Sequence, residues 1–189
     1  MADAGRVIAG SAKGIRLRAP GEGTRPLSDR VKQTLFAILE PDLPGAAFLD
    51  LFAGSGAAGI EALSRGAAAV TFVEKDAGAA AVIAANLRAT NLDGDVVRAD
   101  AEAWLGRAGI GPFDLVVVDP PYAEAVLLGR VLERLAAPDA PLAANARVVA
   151  KHFWRDRPPE RVGMLTVERD RRFGETALTF YRREEAQSE

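Results

Sequence analysis

The chain contains no cysteine, which excludes disulfides, cysteine-ligated zinc and thiolate catalysis together. Histidine is almost as scarce. With no partner cluster around it, His152 is expected at a strand end near the substrate surface, not as a catalyst or metal ligand, and no metal is expected. No apolar run approaches the roughly 20 residues of a membrane-spanning helix, and residues 1–20 have no signal-peptide core. A cytoplasmic protein, without a membrane partner, is therefore expected. Aromatic residues make up only 6% of the chain. Trp104 suits packing on a short helix, whereas Trp154 suits stacking on a ligand.

What is present is a soluble composition, 49% hydrophobic and 26% charged, over 189 residues, enough for one ordinary core. The net charge of −2 is unevenly spread. Residues 1–32 and 147–183 carry net positive charge, and residues 33–146 are strongly acidic. If the two ends meet in space they form a basic surface of the kind a polyanion needs; the alternative is that these arginines are simply solvated.

Arg6 to Pro20 interleaves Arg6, Lys13, Arg16 and Arg18 with apolar residues, which predicts a short hairpin or arm with one basic face. Gly21 to Pro26 reads as loop. Ser28 or Asp29 caps a helix carrying Val31, Leu35, Ile38 and Leu39 on one face, and Pro41 and Pro44 end it. From there strand and helix alternate. Strands are predicted at Ala47–Phe52, Val70–Glu74, Val96–Ala99, Phe113–Val118 and Ala146–Phe153. Helices are predicted at Ala57–Arg65, Asp76–Thr90, Ala101–Ala108 and Ala123–Ala136. This order calls for a parallel sheet with helices on both faces. Met164–Glu168 and Ala177–Tyr181 leave no room for a crossover helix and must pair antiparallel. The expected fold is α/β, Rossmann-like: a mostly parallel seven-stranded sheet with a C-terminal antiparallel hairpin. A basic arm and loop (1–27) would precede a single compact domain (28–189).

Two stretches carry chemistry. Phe113 to Tyr122 reads F-D-L-V-V-V-D-P-P-Y. Its apolar run suits a strand buried on both faces, and Pro120 and Pro121 stop that strand. At the carboxyl end of a central strand, where open α/β sheets bind ligands, the Asp119 carboxylate, Pro120 carbonyl and Tyr122 ring could hold a planar ring bearing an exocyclic amine. The second stretch, Asp50 to Gly59, reads D-L-F-A-G-S-G-A-A-G between a strand and a helix. Gly54, Gly56 and Gly59 match a dinucleotide-binding pattern that is weak on its own. Asp50 could meet an ammonium or a nearby backbone amide. Glu74, ending the second strand, is placed for ribose hydroxyls. Asp100 could meet an adenine amine or merely cap the next helix.

Asp50–Gly56, Glu74, Asp100 and Asp119–Tyr122, in this order, resemble the motifs of class I S-adenosylmethionine-dependent methyltransferases that modify exocyclic amines. Arg25-Pro26-Leu27-Ser28-Asp29-Arg30-Val31, followed by Leu35-Phe36, resembles the signature of the RsmD-type bacterial rRNA guanine-N2 methyltransferases. Arg6–Gly10 and Phe173–Thr176 resemble that family's opening arm and closing hairpin. Ser28 replaces a usual Thr, Gln33 a common Glu, and Lys151–Trp154 stands where a more acidic sequence is expected. The resemblance implies methyl transfer from S-adenosylmethionine to the N2 amine of a 16S rRNA guanine, position 966, in free rRNA or a small-subunit particle. It implies Asp119, Pro120 and Tyr122 as catalytic residues. It implies a cofactor site of Asp50, Phe52, Ala53, Gly54, Gly56, Glu74, Lys75, Asp100, Ala101 and Asp119. RNA would be met by Lys13, Arg16, Arg18, Arg25, Arg30 and Trp154; Arg25, Asp29 and Arg30 could also line the cofactor pocket. A monomer is expected. The rivals are an adenine-N6 DNA or RNA methyltransferase, an NAD-dependent oxidoreductase resting on the glycines alone, and a non-enzymatic RNA-binding module.

Overall fold

A computed structural model describes residues 3–21, 27–121 and 124–184. The short helices and apolar strands assemble as three layers, an eight-stranded sheet between two groups of helices, with a two-stranded arm on one side. The arm is the antiparallel pair β1 (Asp3–Arg6) and β2 (Arg16–Arg18). The first helix, α1 (Asp29–Leu39), starts at Ser28, whose hydroxyl accepts the Val31 N–H. It buries Val31, Leu35 and Leu39 of the predicted stripe and Phe36 besides, while Ile38 is half-buried.

The strands β3 (Ala47–Leu51), β4 (Ala69–Glu74), β5 (Asp95–Arg98), β6 (Phe113–Val118) and β7 (Leu142–Phe153) are parallel neighbours in the order β5-β4-β3-β6-β7. Between them run α2 (Ala57–Ser64), α3 (Ala77–Thr90), α4 (Ala101–Leu105) and α5 (Ala125–Leu135). From β3 the chain winds outward through β4 to β5, then returns to lay β6 against the other side of β3. The strand order therefore reverses between β3 and β6, the position where doubly wound sheets open a crevice for ligands.

The C-terminal part extends further than predicted. Beyond β7 come β10 (Thr176–Arg183), β9 (Leu165–Phe173) and the two-residue β8 (Arg161–Val162), all antiparallel, so the sheet has eight strands and not seven. Arg169–Arg172, beyond the end of the predicted strand Met164–Glu168, are paired with β10. They lack apolar alternation because this edge is exposed on both sides.

The arm is docked by polar side chains from beneath. Glu61, fully buried on α2, accepts the Ile8 and Ala9 amides at 2.8 and 3.0 Å. Asn86 on α3 exchanges two bonds with the Arg18 backbone, Ser64 accepts the Ala12 amide, and the buried Lys32 ammonium donates to the Arg6 carbonyl. Replacing Glu61 by alanine leaves two amides without acceptors, at a cost of about 2 kcal/mol or more. Denaturant unfolding should register that loss, and hydrogen exchange should show Ile8 and Ala9 exposed. Unchanged exchange would mean that Ser64 and Asn86 suffice to hold the arm.

Candidate active site

The residues following β3, β4 and β6 converge on one cavity of about 600 Å³. Parallel register explains the convergence: Leu51 pairs with Val73 on one side and Val118 on the other, so Phe52, Glu74 and Asp119 emerge side by side. The arm supplies a further wall through Ala4, Ala19 and Pro20, joined by Leu27 at the entry to α1.

The loop after β3 is built for close approach. Phe52 has φ of 61°, a conformation that an aromatic side chain adopts only under strain of about 1–3 kcal/mol. Its neighbour Ala53 donates to the Val73 carbonyl, which holds the loop in place. Gly54 (φ 55°) faces open space: a Cβ there would meet nothing nearer than the Phe52 carbonyl at 4.0 Å. Gly56 and Gly59 answer to packing instead. A Cβ on Gly56 would press on Ile83 at 3.1 Å, and one on Gly59 on the Phe72 ring at 2.2 Å.

Four carboxylates border the cavity, and each has a protein partner; Asp76 accepts the Ala79 amide as the cap of α3. Asp50, 2% exposed, accepts the Gly59 amide at 2.9 Å, satisfying an orphan donor of the first turn of α2. Of the two partners expected for Asp50, the backbone amide is the one seen. Burial pushes its carboxyl up to about 8 against that hydrogen bond, and the negative charges of Asp119 and Glu74 add to the rise. Glu74 accepts from Gly54 with one oxygen and from Asp76 with the other, both at 2.9 Å, tying the glycine loop to the end of β4. Each of those oxygens keeps a second lone pair for a ligand. Asp119 meets the Lys151 ammonium at 2.6 Å. Burial raises the Asp119 carboxyl, and Lys151 opposes that rise by charge and by hydrogen bond.

The sequence-derived sites separate as follows. Asp50, Phe52, Ala53, Gly54, Glu74, Lys75, Asp119 and Pro120 line the cavity together. Gly56 lies behind the loop as the left-handed cap of α2. Asp100 caps α4 by accepting the Ala103 amide at 2.9 Å, and neither it nor Ala101 is among the cavity-lining residues. Tyr122 and Arg25 lie outside the described residues.

Of the basic candidates, Lys13, Arg16, Arg18 and Arg30 are exposed. Arg16 is paired to Asp3 at 2.6 Å. The Arg30 guanidinium lies 6.0 Å from the Phe173 ring centre, linking α1 to the β9–β10 turn. Two guanidiniums lie against the Trp154 ring, Arg172 at 3.7 Å and Arg155 at 4.9 Å from its centre. Trp104 is buried against Phe113, as its packing role predicts. His152 sits near the end of β7 as expected but is buried, not at a surface, because its ring bonds to Thr179 on the neighbouring β10. Among the described residues no group of three His, Asp or Glu could hold a metal ion.

Sequence reasoning missed Lys151 as a site residue and did not single out Arg155 and Arg172. The signal for Lys151 was present: a lysine directly following the apolar run Val148-Val149-Ala150. Its significance depends on which strand lies beside β7.

The family model described as conserved hypothetical protein 95 matches residues 5–182 of the chain. The ribosomal RNA small subunit methyltransferase D of Escherichia coli K12 is 36% identical over 182 residues, 95% of this chain and 90% of that protein. The Bacillus subtilis protein YlbH is 39% identical over 183 residues, 94% of this chain and 98% of its own. The solved structure of Escherichia coli yhhF superposes with a TM-score of 0.86 at 33% identity, over 96% of this chain and 98% of that one.

Proposed function

The chain belongs to the RsmD-type family of small-subunit rRNA methyltransferases, described as conserved hypothetical protein 95, and from that membership we propose that it methylates the N2 amine of one guanine, position 966 of 16S rRNA. The observation that carries this reading is the single cavity shared by the β3 glycine loop, Glu74 and the Asp119-Pro120 turn.

The cofactor is S-adenosylmethionine, and the residues present fit it. Its sulfonium and ammonium suit a cavity bordered by Asp50 and Glu74, and Gly54 leaves room for the ligand against the backbone. A volume of about 600 Å³ is in the ordinary range for such ligands, roughly 300–1,000 Å³. Glu74 is the candidate for the ribose hydroxyls, with Phe52, Ala53 and Lys75 around it. Asp100, occupied as a helix cap, would reach an adenine amine only with a remaining lone pair.

Bound there, the cofactor supplies an electrophilic methyl group: a C–N bond to guanine N2 forms as the C–S bond breaks, the electron pair stays on sulfur, and N2 sheds one proton. The N2 lone pair is delocalised into the ring, so positioning has to supply much of the rate. Asp119 and the Pro120 carbonyl accept the two N–H groups and aim the lone pair at the methyl. The shed proton leaves along the bond to Asp119 and passes to water. Tyr122, next in sequence after Pro121, is the stacking partner for a guanine that must be unpaired or extruded. Lys13, Arg16, Arg18, Arg25 and Arg30 would contact phosphates, and Trp154 with Arg155 and Arg172 would stack on a flanking base. We assign the enzyme to the cytoplasm, as a monomer acting on rRNA or a small-subunit particle.

The test is transfer of labelled methyl to small-subunit particles and rRNA from cells lacking the enzyme, with the product mapped. A single N2-methylguanine in 16S rRNA supports the reading. Methylation of adenine N6 in duplex DNA, with none in RNA, would overturn it.

The position of Asp50 predicts a pH dependence. Its folded-state value lies above its unfolded value, so it is protonated in the empty protein at neutral pH and gives up its proton to meet a cation. S-adenosylmethionine affinity should therefore rise as pH increases from 6 toward 8. By the same sign, the stability contributed by protonated Asp50 is complete below pH 4 and fades as pH rises through about 8. Calorimetric titration of the wild type against Asp50→Asn checks this; equal pH slopes would remove Asp50 from the cofactor site.

A further inference from the structure

We propose that Lys151 is a positioning residue for methyl transfer: its ammonium holds Asp119 as a carboxylate, engages one oxygen and leaves the other to the substrate amine. The inference rests on the methyl-transfer reading for its catalytic consequence. Its physical part, the state of Asp119, can be measured without turnover.

The geometry follows from register. Val118 on β6 pairs with Ala150 on β7, so the residues that follow, Asp119 just past the end of β6 and Lys151 still within β7, lie side by side. Lys151 Nζ lies 2.6 Å from Asp119 Oδ1, the length of a strong charge-assisted bond. The Lys151 side chain is 10% exposed and that of Asp119 is 22% exposed, so solvent screens the pair poorly. Both residues border the cavity.

The surroundings would otherwise favour the neutral acid. Burial drives Asp119 toward protonation, and Asp50, buried on β3, lies near it as a second acid. Glu74 on β4 and Asp76 at the start of α3 also border the cavity as acids, and Lys75 is the other cation on its lining. A protonated Asp119 would be half donor. It could present an O–H to the amine nitrogen and engage the lone pair that must attack. An ionised Asp119 accepts only, as the amine's N–H groups require. With Oδ1 held by Lys151, Oδ2 and the Pro120 carbonyl remain as the two acceptors. The pairing also lowers the basicity of Asp119, so the carboxylate passes the released proton on to water and does not retain it.

The experiment compares wild type, Lys151→Met and Lys151→Arg. In protein labelled with ¹³C at aspartate carboxyls, the Asp119 signal is identified as the one absent from Asp119→Asn. Lys151→Met should raise the pH at which that signal titrates by about one unit or more, and Lys151→Arg should restore it. In parallel, the acid limb of kcat for methyl transfer should move up with the signal, activity on that limb falling about tenfold for each unit of the move, with S-adenosylmethionine affinity little changed. A signal that titrates alike in wild type and Lys151→Met overturns the proposal. So does a kcat loss of equal size at every pH, which a merely structural lysine would produce. A wild type that transfers no methyl to RNA sinks the functional reading instead, while the carboxyl titration still decides whether Lys151 governs Asp119.

Discussion

Replacing Asp119 by alanine should lower methyl transfer by about 10³-fold while leaving S-adenosylmethionine affinity nearly unchanged. The loss falls on kcat because Asp119 meets the reacting amine, whereas Asp50, Glu74 and the Gly54 loop hold the cofactor. Alanine also deprives Lys151 of its carboxylate partner at 2.6 Å, and an ammonium only 10% exposed bears that badly. The comparison therefore needs Asp119→Asn. Asparagine keeps the shape and one acceptor oxygen, so its folding should be close to wild type, yet Lys151 and the amine now compete for that oxygen. Single-turnover rates with saturating cofactor, beside calorimetric binding of the cofactor, separate the two effects. Turnover within tenfold of wild type in both variants would remove Asp119 from the reaction.

The second large effect concerns stability. Gly59→Ala places a methyl 2.2 Å from the Phe72 ring, and 2.8 Å from Val70, inside the contact between α2 and β4. Phe72 is fully buried, and on its far edge Gly94 is also too close for a side chain: a Cβ there would lie 2.7 Å from the ring. The ring is thus seated between two glycines and has no empty volume to move into. The helix must lift from the sheet, at a cost near the upper end for overpacking, about 3 kcal/mol. For a chain of this length that corresponds to a fall in Tm of roughly 6–12 °C. Phe72→Leu frees space at the same contact, so the double variant should lose much less than the two single losses combined. Additive losses in thermal denaturation would show that the Gly59 methyl is accommodated elsewhere.

Gly59 also shows where sequence reading ends. As the third glycine of a G-x-G-x-x-G pattern it looks like part of a ligand loop, and so does Gly56. Only Gly54 faces the cavity; the other two are small because Phe72 and Ile83 need the space. Asp100 is similar. Its sequence position allowed a cap or a ligand, and the hydrogen bond to Ala103 makes it a cap. The hairpin strands were read too short because Arg169–Arg172 carry no apolar alternation on an exposed edge, where none is required.

What the sequence determined by itself is local. Apolar runs of strand length separated by amphipathic helices demand a parallel sheet, because a strand and its crossover helix can bury their faces in few other ways. Pro120 and Pro121 end a strand wherever they occur, so the Asp119 turn and its chemistry were legible without coordinates. What only the tertiary structure decided is adjacency. Strand order placed β6 between β3 and β7, and register then set Asp119 beside Lys151 and opposite Asp50. Glu61, Ser64 and Asn86 read as ordinary helix positions until the arm lies across them and takes its backbone partners from them. The hydrogen bonds among these join residues 32 to 68 positions apart. Periodicity along the chain carries no record of them, because they are selected by how whole layers pack against one another.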